Sequence, residues 1–281
     1  MDVLSIVMKG VTPPMGSPIN AVTDPQTDLR WYTFNEHKLM SATSLRRVLG
    51  MSFGLHNWAI GQVIDAALAG RGTNADQMLT DDEYRKFLRK SSQMKRDEAA
   101  ALGTSVHLAA ENGVKAVLLA EGDPRKPFLQ QYEKALAELD IEVLLAESQV
   151  FNLTLGYAGS LDFIGRCRSP LPEYGLQRGE VVLVDLKTGK GIYNDHALQL
   201  ALYYGGEFIG GFDAIAEKDI IFEGPTDILK DVTSTAILHL RPEEWAFIPI
   251  PITDELAAAA VDLVRLARWF ATHPTLDTLK A

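Results

Sequence analysis

The chain has 281 residues, 47% of them hydrophobic, which suits one large domain or two small ones and speaks against disorder. Its net charge of -10 argues against a protein that coats nucleic acid, although a local groove on an acidic enzyme is still allowed. The one cysteine, Cys167, excludes an internal disulfide, a four-cysteine zinc site and a cysteine-held iron–sulfur cluster.

No apolar run reaches the roughly 18 residues that span a bilayer, so no membrane partner is expected. MDVLSIVMKG lacks the basic start and full apolar segment of a signal peptide, and the expected compartment is the cytoplasm. Residues 1–40 read as an arm, extended or loosely ordered through residue 30, with WYTF (31–34) as a short strand and NEHK as its turn. A single domain is expected over 41–281, with a helical part at 41–140, a sheet core at 141–250 and a last helix at 254–273. SATSLRRVLG looks like a helix entry capped by Ser41 or Thr43. Helical signals continue from 44 to 119, broken at 70–74, and the segment from Thr80 carries acids early and bases later, as the helix dipole favours. KPFLQQYEKALAELD (126–140) is a further amphipathic helix. IEVLLAESQVFN, YAGSLDFIGRCR and EVVLVDLK are strand-like. NDHALQLALYYGGEFIG returns to helix, capped by Asn194 or Asp195. STAILHLRPEEWAFIPI gives two more strands, and DELAAAAVDLVRLARWFATH closes as an amphipathic helix. The order predicts a mixed α/β sheet with helices on its faces.

The strand VVLVDLK (181–187) places an acid and a base where a core should continue. Side chains alternate across a strand, so Asp185 and Lys187 share one face, and Leu186 points the other way with Val182 and Val184. A lone charge in that setting costs several kcal/mol or changes its protonation, so compensation is expected. The preceding strand supplies Asp162. If 167–180 joins the two strands as a hairpin, pairing Arg166 with Val181 sets position 162 opposite 185. Opposed side chains lie about 5 Å apart, where two carboxylates repel by about 3 kcal/mol at an effective dielectric of 20. A hard divalent cation reverses that sign, and Mg²⁺ takes one or two carboxylates with waters and phosphate oxygens. Lys187 then stands beside the attacking water or the scissile phosphate. Taken alone, D-x-K also reads as a salt bridge at a strand end. Two neighbours add to the pattern: Gln199 and Tyr203 share a helix face four residues apart, and His107 follows Gly103, where a missing side chain permits close backbone approach.

Together these residues resemble the RecB-like branch of the PD-(D/E)XK nuclease superfamily. The order is a G-T-x-x-H helix at 103–107, a glutamate on the next strand at Glu147, G-S-L-D ending at Asp162, D-L-K at 185–187, and Q-x-x-x-Y at 199–203. The resemblance covers roughly 41–250. It implies a restriction-endonuclease-like α/β fold: a mixed β-sheet core flanked by helices, with an N-terminal helical region. It implies His107, Asp162 and Asp185 as ligands for one or two Mg²⁺ or Mn²⁺ ions, with the Leu186 carbonyl as an extra ligand and Lys187 as the catalytic lysine. Gln199 and Tyr203 match the motif that organises the site and contacts DNA, and Glu147 matches an acidic position near it. The family's proline is Leu161 here, and the second acid is Asp rather than Glu. The cysteines that hold an iron–sulfur cluster in some relatives are missing, so none is expected. No G-x-x-x-x-G-K-[ST] occurs, so no motor is built in.

The implied activity is metal-dependent hydrolysis of DNA phosphodiesters from the ends of linear DNA, in recombination, repair or phage DNA metabolism. An endonuclease or nickase of the same fold, and a non-catalytic DNA-binding module on a decayed nuclease fold, are the alternatives. Similarity to phage recombination exonucleases implies a bacterial or phage-infected cytoplasm, a homo-oligomeric ring around DNA, and a single-strand annealing or recombination protein as partner. For DNA contact the best stretch is RKFLRKSSQMKR (85–96), with six basic residues and no acid. Arg85 and Arg89 share one helix face, as do Lys86 and Lys90, and Arg46 and Arg47 are a second candidate. Phosphate contacts there would be salt-dependent and sequence-independent. A solvated helix face is the simpler reading of such a run.

Overall fold

Three short strands, β1 (Asn20–Thr23), β2 (Arg30–Phe34) and β3 (His37–Ser41), form an antiparallel meander. A computed structural model describes residues 20–23, 29–34, 37–50, 53–70, 79–213, 218–220 and 228–273. The expectations for 1–19, the turn residues 35–36 and the break at 71–74 lie outside the described residues, as do the side chains of Arg47 and Glu147.

Ser41 is the N-cap of α1 (Ala42–Leu45), as its residue type suggests, but its hydroxyl bonds Thr43 Oγ1 at 2.7 Å rather than a backbone N–H. The helix α2 (Phe53–Gly70) packs on α3 (Asp81–Glu111). Thr80 and Glu83 start α3 with a capping box, and three acids occupy its first turn. Next come α4 (Lys126–Leu139), β4 (Ile141–Asn152), β5 (Tyr157–Cys167) and β6 (Val181–Lys187). After these follow α5 (Asn194–Tyr204), β7 (Phe208–Asp213), β8 (Lys218–Ile220), α6 (Ile228–Asp231), β9 (Val232–Leu240), β10 (Trp245–Pro249) and α7 (Asp254–Thr272).

The strands form one mixed sheet flanked by helices, the α/β architecture that the sequence predicts. Its spine is the β4–β5 pair. Along one edge β5 is fully covered by β4, while its other edge is divided. Residues 157 and 158 pair in parallel with β3, so residues 20–41 join the sheet. Residues 163–166 pair antiparallel with β6 in the expected Arg166↔Val181 register. Between these two partners, residues 159–162 face a fork in the sheet. Beyond β6 the sheet continues to β9, which runs parallel to it, and then to β10.

Alternation on β6 sorts its side chains as the pattern demands. Val181 and Leu183 face the core under α5 and α7, with Leu161, Leu200, Leu202, Leu263 and Val264. Val182, Val184 and Leu186 face the opposite core, with Val106 of α3 and Phe128 and Leu129 of α4. Helices thus cover both faces, and among the described residues none is long and apolar enough to cross a membrane.

Several details differ from the sequence reading: His37 and Lys38, expected in a turn, open β3, and residues 20–23, expected in a loosely ordered arm, form β1. The helix expected to run through GGEFIG ends at Tyr204, and Phe208–Asp213 is a strand paired with β4. Gly206 passes so close to β4 that a Cβ there would lie 2.0 Å from Val150 Cγ2, so the glycine pair ends the helix and lets β7 dock. The N-cap of α5 is Tyr193, not Asn194 or Asp195, because the Asp195 carboxylate is drawn to Arg46.

Buried Glu207 ties this region to the β4–β5 turn by accepting the Leu153 and Thr154 N–H groups at 2.8 and 3.2 Å. Asn152 completes the tie, accepting from Leu155 N–H and donating to the Gly205 carbonyl. Glu207→Ala is expected to lower stability by about 2 kcal/mol. That loss should appear as a lower urea midpoint with an unchanged slope.

Candidate active site

The fork in the sheet is where the singled-out residues meet. The β5–β6 ladder ends at Phe163↔Val184, one step before Asp162 and Asp185 would face each other. The Leu186 N–H, which points toward β5, donates to Asp162 Oδ2 at 2.6 Å. In extended backbone the N–H and C=O of one residue point to the same neighbour, so the Leu186 carbonyl faces that side too. From α3, His107 Nδ1 lies 2.8 Å from Asp162 Oδ1. The helix can come this close because Gly103 lacks a side chain: a Cβ there would lie 3.0 Å from Thr188 Oγ1.

Asp185 is 2% exposed and pairs with Lys187. Its Oδ2 makes that ion pair but accepts no aligned hydrogen bond. Burial raises its pKa to about 6, and the charge of Asp162 adds to the rise, outweighing Lys187 and His107. Asp162 behaves oppositely. Burial would raise it, but His107, Lys187 and the Leu186 N–H together hold its carboxyl below the usual range. Burial alone would lower His107, yet the adjacent Asp162 carboxylate raises it. Asp162 and His107 therefore stabilise each other's charged forms, while Asp185 carries negative charge its surroundings do not fully offset.

From the other layer, α5 presents Gln199 and Tyr203, both buried, with Gln199 Nε2 donating to Tyr203 Oη at 2.6 Å. Burial, then the charge of Asp185, lifts the Tyr203 hydroxyl well above its ordinary value, so it remains a donor. Gln199 Oε1 is buried without a hydrogen-bond partner. Gly159 gives Tyr203 its room, since a Cβ there would lie 2.5 Å from the ring. The G of G-S-L-D and the Y of Q-x-x-x-Y are thus steric partners.

The structure brings His107, Asp162, Asp185, Leu186, Lys187, Gln199 and Tyr203 to one place from α3, β5, β6 and α5. The flanking pairs Ala146↔Phe163 and Ser148↔Leu161 set the Glu147 backbone beside Asp162, and its side chain lies outside the described residues. Among the described residues, no three His, Cys, Asp or Glu side chains are grouped as a metal ion requires. Both oxygens of Asp162 are engaged by protein donors instead, and Lys187 pairs with Asp185.

The basic candidates divide. Arg85, Lys86, Arg89 and Lys90 are exposed on α3, and Arg85 lies 3.9 Å from Asp82. Lys90 precedes His107 by 17 residues, about 25 Å along the helix. Arg46 is not free, since its Nη1 donates to Asp195 Oδ2 at 2.9 Å at the start of α5.

Sequence reasoning missed two histidines beside Lys187. His239 is its partner on β9, a neighbour that only the parallel β6·β9 pairing reveals. His196 lies at the start of α5, where burial, then the Lys187 charge, pushes its pKa down to about 4. The spacing N-D-H after the strand was the one local signal for it.

No protein-family model matches this chain, and no curated protein matches it. Among solved structures, the crystal structure of SSO0001 is similar at 16% identity over 67% of this chain and 72% of that one, with a TM-score of 0.32. A likeness so loose carries no argument about fold or chemistry.

Proposed function

We propose that this protein is a Mg²⁺- or Mn²⁺-dependent deoxyribonuclease of the PD-(D/E)XK type that acts on DNA ends. The observation supporting this reading is the convergence of Asp162, Asp185, Lys187 and His107 from three separate elements at the fork of one sheet. A purely structural ion pair needs neither a second, largely buried carboxylate nor an imidazole beside it.

By donor type the set suits a hard divalent cation, with two carboxylates, an imidazole and the Leu186 carbonyl, and an ion entering here would displace protein donors from Asp162 and Asp185. Asp185, buried and under-compensated, is the group a cation would relieve. When bound, the ion would polarise the phosphate and acidify a water. The chain's own groups have distinct tasks. Lys187 holds positive charge beside Asp185, where charge on the phosphate would develop. His107 and the Leu186 N–H orient Asp162, and the Gln199–Tyr203 pair backs the site with a fixed donor.

A second reading, a DNA-binding module without catalysis, is favoured by the capture of both Asp162 oxygens by protein donors. One set of digestions separates them. Purified protein with Mg²⁺ or Mn²⁺ is expected to degrade linear DNA, to leave covalently closed circles intact and to stop on addition of EDTA. Nicking of the circle would instead indicate an endonuclease. DNA binding without cleavage, and without calorimetric uptake of Mn²⁺, would favour the module.

A further inference from the structure

The segment between Lys187 and α5 carries groups that the proposed reaction does not use. It is braced from β9: His239 Nε2 donates to the Gly189 carbonyl at 2.7 Å, and Arg241 Nη1 donates to the Lys190 carbonyl at 3.4 Å. At its far end the Tyr193 N–H donates to His196 Nδ1 at 3.2 Å, and the two rings meet edge-to-face with centroids 5.6 Å apart. The Tyr193 ring also lies over Gly191, where a Cβ would meet its hydroxyl at 3.4 Å. The backbone is therefore fixed on both sides, while Tyr193 as a residue is 56% exposed.

A rigidly mounted aromatic ring left in solvent needs a reason, because folding gains little from it. Its surroundings supply one. Lys190 and Arg241 flank the segment and form no ion pair among the described residues. Asp195 nearby is already paired with Arg46, and Glu243 and Glu244 stand on the turn beyond Arg241. Lys187, at the start of the same segment, belongs to the candidate site. An exposed aromatic face on a segment that also carries cations without an ion pair is the kind of arrangement that takes unstacked bases with their phosphates.

We infer that Tyr193, held on His196 and flanked by Lys190 and Arg241, is a stacking platform for an unpaired base of a nucleic-acid strand entering the Asp162–Asp185–Lys187 site. The direction of that strand rests on the nuclease reading; the binding does not. The platform makes single-stranded ends, rather than intact duplex, the preferred substrate.

Binding is measured by fluorescence anisotropy in EDTA, with a labelled oligothymidylate and a blunt duplex of equal length. Tyr193→Ala is expected to weaken oligothymidylate binding about tenfold, within the range of one lost stacked base. Tyr193→Phe should bind as wild type, because stacking needs the ring and not the hydroxyl, and it guards against a folding defect. Duplex binding should change little in either variant. Lys190→Ala should reduce the salt slope for single strands by about 0.7. Unchanged oligothymidylate binding by Tyr193→Ala, an equal loss for duplex, or no single-strand binding by the wild type would overturn the platform. If DNA is still hydrolysed in those cases, the nuclease reading stands. Conversely, Tyr193-dependent binding by a protein that cleaves no DNA with either metal would retain the platform and remove the nuclease.

Discussion

Lys187→Gln is expected to lower the rate of DNA hydrolysis by about 10²–10³-fold, the usual effect of losing one preorganised group aimed at developing charge. The reasoning is geometric. Lys187 is half-buried, shares a strand face with Asp185 and forms an ion pair with it, so its ammonium is fixed rather than free on a flexible stem. A group held in place contributes without reorganising, and its loss should fall on kcat with KM little changed. Lys187→Arg is expected to restore little, since a planar fork cannot replace a compact ammonium beside a buried carboxylate. Circular dichroism must show that each variant is folded, because removing Lys187 leaves Asp185 without its partner. Folded Lys187→Gln within tenfold of wild-type activity would remove this residue from the mechanism.

Asp185→Asn should abolish hydrolysis and yet stabilise the fold at neutral pH. Burial lifts the Asp185 pKa from the model-peptide 3.8 to about 6, so the folded chain holds this proton more tightly than the unfolded chain. Stability tied to that proton is fully present below about pH 4 and is lost as pH rises through about 6. That rise corresponds to about 3 kcal/mol, an upper bound because Asp162 titrates together with Asp185. Asparagine mimics the protonated acid and cannot ionise. The melting temperature of Asp185→Asn should therefore match wild type near pH 4 and exceed it increasingly toward pH 7. Mn²⁺ should raise the wild-type value at pH 8 and leave the variant unmoved, since a ligand stabilises only the state that binds it. A variant less stable than wild type at pH 8 would mean that Lys187 fully compensates Asp185.

The sequence was most informative where physical constraints are short-ranged. Strands β4 to β6 and helices α4 and α7 could be read almost to the residue, because hydrophobic alternation and helical spacing are local. The Arg166↔Val181 register, assumed for a single hairpin, is the one that residues 163–166 adopt. What could not be read depends on contacts between distant segments. The parallel pairing of β6 with β9, which puts His239 beside Lys187, has no local signature. Neither does the division of the β5 edge between β3 and β6. GGEFIG was misjudged because an apolar run after a helix continues its period, while the close approach of Gly206 to Val150 is visible only in three dimensions. Asp195 looked like a cap, and Arg46, 149 residues earlier in the chain, claimed it.

The four-pair ladder between β5 and β6 keeps the linking turn and the carboxylates at opposite ends. Changes in the 168–180 connection are thereby insulated from the chemistry. Cys167 is buried, and burial keeps its thiol protonated, so a cysteine introduced at exposed Arg178 would be the reactive one. A dye attached there is expected to leave the aspartates, and hydrolysis by them, undisturbed.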